Sequence, residues 1–298
     1  MTPIRRRQLR DIVAASSMRL SLVVVHALAL AVAVGLLLKA WPLLQQTSLG
    51  SLLFSSSWHP LKGQFGLYSF IIGTVAVTAL AMAVSIPVCL LSAVYLSEYA
   101  GSRIREAARL AVDILAGIPS VIYGLCGVLV VVPFVREVGR MTGDQTTGYS
   151  LLAGGIILAI MVAPFIISLT VEVLRAIPIE ARESALALGT TRWEMVRYVL
   201  LRHARRGVMA AIVLGFSRAF GETMAVLMVV GNVPRVPRSL FDPAYPLPAL
   251  IANNYGEMMS IPLYDSALML AAFILMLIVG AFSLAAHFAL LHMGRHGA

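Results

Sequence analysis

Charge is scarce in this chain of 298 residues: Asp, Glu, Lys and Arg together make up 12% of it, where an ordinary globular domain carries roughly 25%. The scarcity is uneven, because there are only two lysines, Lys39 and Lys62, and the formal net charge of +9 rests on arginine. Neither lysine follows a glycine, so the chain lacks a GxxxxGKS/T loop and with it the usual means of cradling a nucleotide's phosphates. Cysteine is nearly absent. Cys89 and Cys126 lie inside apolar runs, which excludes a disulfide framework and leaves them as small hydrophobic packing residues. Nor do the arginines form the water-facing basic surface that a phosphate backbone needs, since they punctuate long apolar stretches; nucleic acid is therefore not an expected partner. What the chain has in excess is apolar residue, 59% by count, with a mean hydropathy of +0.89. These values describe an all-α integral membrane protein in contact with lipid.

Six runs approach the roughly 20 apolar residues that a bilayer-crossing helix requires: Leu20–Ala40, Leu67–Tyr95, Leu110–Val135, Leu151–Val171, Val208–Gly231 and Asp265–Leu291. The second is long enough to tilt or to continue past the membrane as a helix. The first follows Arg5, Arg6, Arg7, Arg10 and Arg19, but its apolar stretch exceeds a signal peptide's h-region of about 7 to 15 residues, so it reads as a retained helix behind a basic tail at 1–19. With six crossings both termini share one side. That side holds five arginines before the first run, three around Arg103, seven from Arg175 to Arg206, and Arg295. The other holds Lys39, Lys62, Arg136, Arg140, Arg235 and Arg238. The positive-inside rule then places both termini in the cytoplasm. The expected outer segments are 41–66, rich in Ser and Gly, and 232–264, whose six prolines predict an ordered, turn-rich loop without a helix. His292 and His296 have helical spacing without a third ligand, which makes them an interfacial helix end rather than a metal site.

The segment 175–207 predicts a short helix, a turn and a second helix. Pro178 suits the first turn, Gly189 a left-handed C-cap, and Thr190 or Thr191 a cap facing Glu194. A solvated linker would not need Ala185, Leu186, Leu188 and Trp193 exposed to water. In the fifth run Arg218 and Glu222 lie at i, i+4 and so share a face of a continuous helix, where an ionisable residue is costly. They read equally as a self-neutralising packing pair or as a charge that attracts an anion in transit. Asp113, in the third run, is a further candidate for an interior network. Gly117, Pro119, Gly124 and Gly127 read either as a hinge or as small residues that let helices approach closely.

The spacing Glu183-Ser184-Ala185 followed by Gly189 resembles the EAA loop of ABC-importer permeases, although the Ile-x-Leu-Pro that closes the family pattern is here Val199-Leu200-Leu201-Arg202. The stretch Ser217–Val226 with Gly231-Asn232 resembles the RALGETMAV segment of the phosphate-specific permeases, PstC-like rather than PstA-like, with Phe220 where leucine is usual. So do Leu115–Gly124, Phe65–Thr74, Leu240–Pro243 and Ala252–Glu257. The resemblance runs from about residue 55 onward. It implies a type I ABC importer permease architecture in the bacterial inner membrane. It implies a loop at Glu183, Ser184, Ala185 and Gly189 that docks into a cytoplasmic ATPase dimer binding ATP and Mg, with no cofactor in this chain. A second, PstA-like permease subunit, a periplasmic phosphate-binding protein and a phosphate pathway through Arg218 and Glu222 are further implications. Permeases for phosphonate, sulfate or molybdate and a carrier or channel working without ATP are the alternatives.

Overall fold

Long apolar segments with few competing polar side chains fold as helices, because every backbone group can then bond within its own segment. The structure, a computed structural model, describes residues 3–257 and 260–295. The side chains of 3–10 and 291–295 lie outside the described residues, and with them most of the basic tail and the His292–His296 pair.

Helix α1 (Pro3–Gln46) runs through the basic tail and first apolar run without interruption. A short α2 (Leu49–Phe54) and a two-residue hairpin, β1 (Trp58–His59) against β2 (Gln64–Phe65), lead into α3 (Tyr68–Val94). A π-helical turn at Tyr95–Tyr99 extends α3 beyond its apolar run. Then come α4 (Ser102–Gly117), α5 (Ser120–Cys126) continued by a π-turn into α6 (Val132–Thr142), and α7 (Leu151–Arg175). The 175–207 segment forms α8 (Ile179–Ala187) and α9 (Arg192–Glu194), which passes through a π-turn into α10 (Leu201–Gly221). The chain finishes with α11 (Met224–Val229), α12 (Leu247–Asn254) and α13 (Tyr264–Arg295).

Among the described residues, five helical stretches are long and apolar enough to cross a membrane: Asp11–Gln46, Tyr68–Tyr99, Ser120–Thr142, Leu151–Arg175 and Tyr264–Leu290. Two expected runs differ from this set, for physical reasons. The third run does not start at Leu110. Its first part belongs to α4, which carries Arg103, Arg105, Glu106, Arg109 and Asp113 at helical spacing, and Pro119 forces Ile118 out of the helical region (φ −70°, ψ 129°). Asp113 is exposed and pairs with Arg109 one turn back at 4.0 Å, so it joins no interior network. The fifth run, 208–231, is two pieces: the helix from Arg192 ends at Gly221, Glu222 turns to an extended backbone, and Thr223 stands at the cap of α11. The loop 232–264 also departs from expectation, since Pro246 and Pro248 start α12 instead of preventing a helix, consistent with proline's tolerance in a first turn.

The core is built on α3, α7 and α10. Glycines permit the approach: a Cβ on Gly155 would stand 2.6 Å from a Leu80 methyl, and one on Gly215 2.8 Å from Ile166. At one end Leu43, Leu52, Phe65, Phe70, Leu247 and Tyr264 form a buried cluster, and Trp58 packs edge-on to Phe70 at 5.0 Å. Thr74 pins this end, its Oγ1 donating to the Phe70 carbonyl (2.7 Å) and accepting from the Leu247 N–H (2.8 Å). At the arginine-rich end Val94, Leu174, Ile177, Met195, Val196 and Leu200 form a second. Cys89 is buried between α3 and α7, as a small hydrophobe should be, whereas Cys126 faces outward. By contrast, the most apolar window of α1 is entirely unburied; the helix packs on α13, and Lys39 pairs with Asp265 at 3.9 Å.

Candidate functional site

Two interrupted helices lie side by side. The α4/α5 break at Ile118–Pro119 is bridged by the Tyr123 hydroxyl, which donates to the Leu115 carbonyl at 2.8 Å. The α10/α11 break is closed by the Glu222 N–H donating to the Ala219 carbonyl at 3.3 Å. The two halves beyond the breaks pack together, because Gly124 sits against Ala225 and Met228, and Gly127 against Val229 and Ile157. These glycines therefore serve close packing. Gly117 does not: a Cβ there would meet nothing within 4 Å, and it stands at the end of α4 where the chain straightens. Of the two readings of this group, packing fits Gly124 and Gly127, and the interruption fits Gly117 and Pro119.

Arg218 stands in the last turn of α10, one turn before the break. It is exposed, and its guanidinium lies over the Phe165 ring at 5.5 Å to the centroid, a cation–π contact, within electrostatic range of Tyr123. The i, i+4 pairing with Glu222 does not form. Glu222 is the residue at which the helix ends, with φ −74° and ψ 123°, so its side chain leaves the face that carries Arg218. It is half-buried instead and lines a narrow gap with Thr74, Thr78, Leu158 and Pro246. Of the ion pairs among the described residues, none joins the two. The arrangement holds a guanidinium by one aromatic face and leaves its N–H donors free for an anion.

The second assembly is α8 and its surroundings. Gly189 adopts φ +81°, the left-handed conformation predicted for a C-cap, with open space around it. Thr191 is the cap of the following helix and forms a capping box with Glu194: the Thr191 N–H donates to the Glu194 carboxylate at 2.8 Å, and the Glu194 N–H to Thr191 Oγ1 at 3.3 Å. The Thr191 N–H and, at 2.9 Å, the Thr191 hydroxyl both donate to the Glu194 carboxylate and hold it below the usual carboxylate range. Pro178 sits at the cap position just before α8 rather than within its first turn. Ala185 is buried and seats the helix, whereas Glu183, Ser184 and Leu186 face outward with Leu188, which is 85% exposed, and Trp193. The result is a mixed apolar and acidic surface standing clear of the helices that cross.

Two functional features escaped the sequence reading. One is the helix break at Glu222, where Gly221 is the only local signal. The other is Arg182, whose guanidinium grips Glu98, 84 positions away, through two hydrogen bonds of 3.2 and 3.3 Å. A lone carboxylate just beyond a long apolar run was the available hint for Glu98.

Comparison with known proteins completes the picture. Residues 85–292 match the family model described as "Binding-protein-dependent transport system inner membrane component". The phosphate transport system permease protein PstC of Xylella fastidiosa (strain Temecula1) is 37% identical over 260 residues, covering 82% of this chain and 80% of the relative. PstC of Mesorhizobium japonicum is 36% identical over 290 residues, covering 92% and 88%. Among solved structures, a bacterial alginate ABC transporter in complex with an alginate pentasaccharide-bound periplasmic protein aligns with TM-score 0.65 at 16% identity, covering 98% of this chain and 96% of that one. The inward-facing MetNI methionine ABC transporter aligns with TM-score 0.55 at 21% identity, covering 76% and 94%. The fold is that of a type I ABC importer permease, and the chain belongs to the family of binding-protein-dependent transport system inner membrane components, alongside the PstC permeases.

Proposed function

We propose that this chain is a permease subunit of an ATP-driven importer that carries inorganic phosphate from periplasm to cytoplasm. The observation that carries the reading is Arg218. Twelve residues separate it from Arg206 at the arginine-rich end, about 18 Å along a helix, which is deep in a hydrocarbon layer about 30 Å thick. An arginine at that depth costs about 2.5–3.5 kcal/mol on insertion scales unless it meets water or a partner. Since Glu222 does not neutralise it, its exposed face belongs at a water-filled path or a subunit boundary. A guanidinium with free donors binds oxyanions well. The PstC relatives, similar over most of both chains, favour phosphate among them.

On this reading the chain crosses the bacterial inner membrane six times, with α10 and α11 together making the fifth crossing and both termini cytoplasmic. A second, PstA-like permease subunit covers the Arg218 face and closes the path. A periplasmic phosphate-binding protein delivers the anion to the end formed by α2, the hairpin and α12. The surface of Glu183, Ser184 and Leu188 docks into a cytoplasmic ATPase dimer that binds ATP and Mg. Closure of that dimer shifts α8, and the interrupted helices at Gly117–Pro119 and Gly221–Thr223 bend to expose the path to one side at a time. Arg218 holds the anion only briefly, because tight binding within the membrane would stall release.

The test is uptake of labelled phosphate by the complex reconstituted in liposomes with Arg218→Gln. Loss of uptake with unchanged insertion supports the reading. Normal uptake by that variant, or preferential uptake of sulfate or molybdate by the wild type, overturns it.

A further inference from the structure

The short helix α8 has little apolar surface with which to hold on to the rest of the protein, since Ala185 is its one buried residue. Arg182 supplies the remaining hold. Its Nε and Nη2 donate to the two carboxylate oxygens of Glu98, while Nη1 donates to the Ile177 carbonyl and Nη2 also to the Leu174 carbonyl, both at 2.7 Å. The pair is largely withdrawn from water, with side-chain exposures of 18% for Arg182 and 7% for Glu98. One planar guanidinium therefore joins α8, the end of α7 and the π-turn that ends α3. Lysine could not reproduce this fork.

The same π-turn is also held by α4. Arg105 of α4 donates to the carbonyls of Leu96 (3.1 Å), Ser97 (3.4 Å) and Ala100 (3.0 Å), groups that a helix end leaves without partners. Ser97 Oγ donates to Glu98 at 2.7 Å and fixes the carboxylate that Arg182 grips. A continuous polar path thus runs from α8 through Arg182, Glu98 and Arg105 into α4, whose far end is the interruption at Ile118–Pro119.

We infer that Arg182, Glu98 and Arg105 are positioning residues that make α8, the ends of α3 and α7, and α4 move as one body, delivering the ATPase-driven shift of α8 to the interrupted helix. This rests on the coupling role proposed above. Apolar contacts alone would let α8 slide, because they have no direction; a bidentate ion pair with two carbonyl bonds fixes both distance and angle.

The experiment uses the complete complex of permeases, ATPase and phosphate-binding protein in liposomes, and measures phosphate uptake and ATP hydrolysis together. The variants are Glu98→Gln, Arg182→Lys and Arg105→Lys, which keep size or charge and lose the fork. The expected result is hydrolysis within about twofold of wild type and uptake reduced about tenfold, so that phosphate moved per ATP falls about tenfold. A purely structural role predicts that both rates fall in proportion to the amount of assembled complex; that result overturns the inference, as does an unchanged phosphate-to-ATP ratio or failure of all three variants to assemble. Gly189→Val in parallel separates this from the underlying reading. If that variant transports normally, α8 is not the coupling element and the inference falls with it.

Discussion

Two arginines in this chain receive opposite treatment. Arg182 is mostly buried and makes four hydrogen bonds, two to a carboxylate and two to carbonyls. Arg218 is exposed and rests on one aromatic ring, with its nearest acidic neighbour in sequence turned away by a helix break. A guanidinium with its donors spent is part of the framework, and one with its donors free awaits a ligand. On the function proposed above, the difference separates the end of the molecule that would transmit force from the place where an anion would pass.

The sharpest way to break this comparison is to remove each charge and measure both transport and stability. Arg218→Gln should lower phosphate uptake in liposomes about a hundredfold, the scale seen when one donor to a developing or passing anion is lost, while shifting unfolding by no more than about 0.5 kcal/mol, as for exposed sites. Arg182→Ala should reverse the ranking, because it strands the Glu98 carboxylate without its partner. A loss of about 3–5 kcal/mol is expected in denaturant unfolding. If Arg218→Gln proves the more destabilising of the two, the division of roles is wrong.

Smaller effects sharpen it. Gly189→Val forces a β-branched residue into the left-handed region at about 1–2 kcal/mol of local strain, and should abolish uptake with normal insertion, read by liposome transport and quantitative membrane fractionation. Glu222→Gln should reduce uptake about fivefold or less, well short of Arg218→Gln, since the two do not pair and each donor or acceptor lost in isolation is worth about 1 kcal/mol. The smallest effect concerns Glu194. Its folded-state carboxyl lies below the ordinary value, so its contribution to the α9 start is fully present above the unfolded value of about 4.3 and is lost as pH falls through the lowered folded value. Hydrogen exchange at the Thr191 amide, which donates to that carboxylate, should therefore quicken on acidification beyond the intrinsic pH trend; Thr191→Ala, which keeps the N–H and loses the hydroxyl, should weaken that dependence, and Glu194→Gln should remove it.

Most of the helical framework was legible because long apolar runs leave a chain few alternatives in lipid. Run length left tilt or extension of α3 open, whereas the Gly189 cap and Thr191–Glu194 box followed from local chemistry that needs no tertiary partner. What misled was the assumption that an apolar run is one helix. Pro119 announced a break that hydropathy averaging concealed, and the charges of α4 showed that its first turns were amphipathic. Glu222 gave no such warning: in a continuous helix it would have faced Arg218, and only the packing of α11 against α5 shows why the chain turns there. Arg182 and Glu98 were illegible for a different reason. Their contact spans three helices and no local pattern encodes it, although the EAA-like loop containing Arg182 was read from its neighbours.

The polar path at Tyr95–Ala100 also bears on how the protein tolerates change. Apart from Glu98, the acceptors of Arg105 and Arg182 are five main-chain carbonyls, at Leu96, Ser97, Ala100, Leu174 and Ile177. Every residue type carries that group, so the connection itself asks nothing of those side chains; Leu174, Ile177 and Ala100 are constrained separately by burial, and Ser97 by its hydroxyl's bond to Glu98. Saturation mutagenesis across the region should then find Ala100, Leu174 and Ile177 accepting apolar replacements that fit their buried sites, whereas Glu98, Arg105 and Arg182 reject even replacements that keep size or charge.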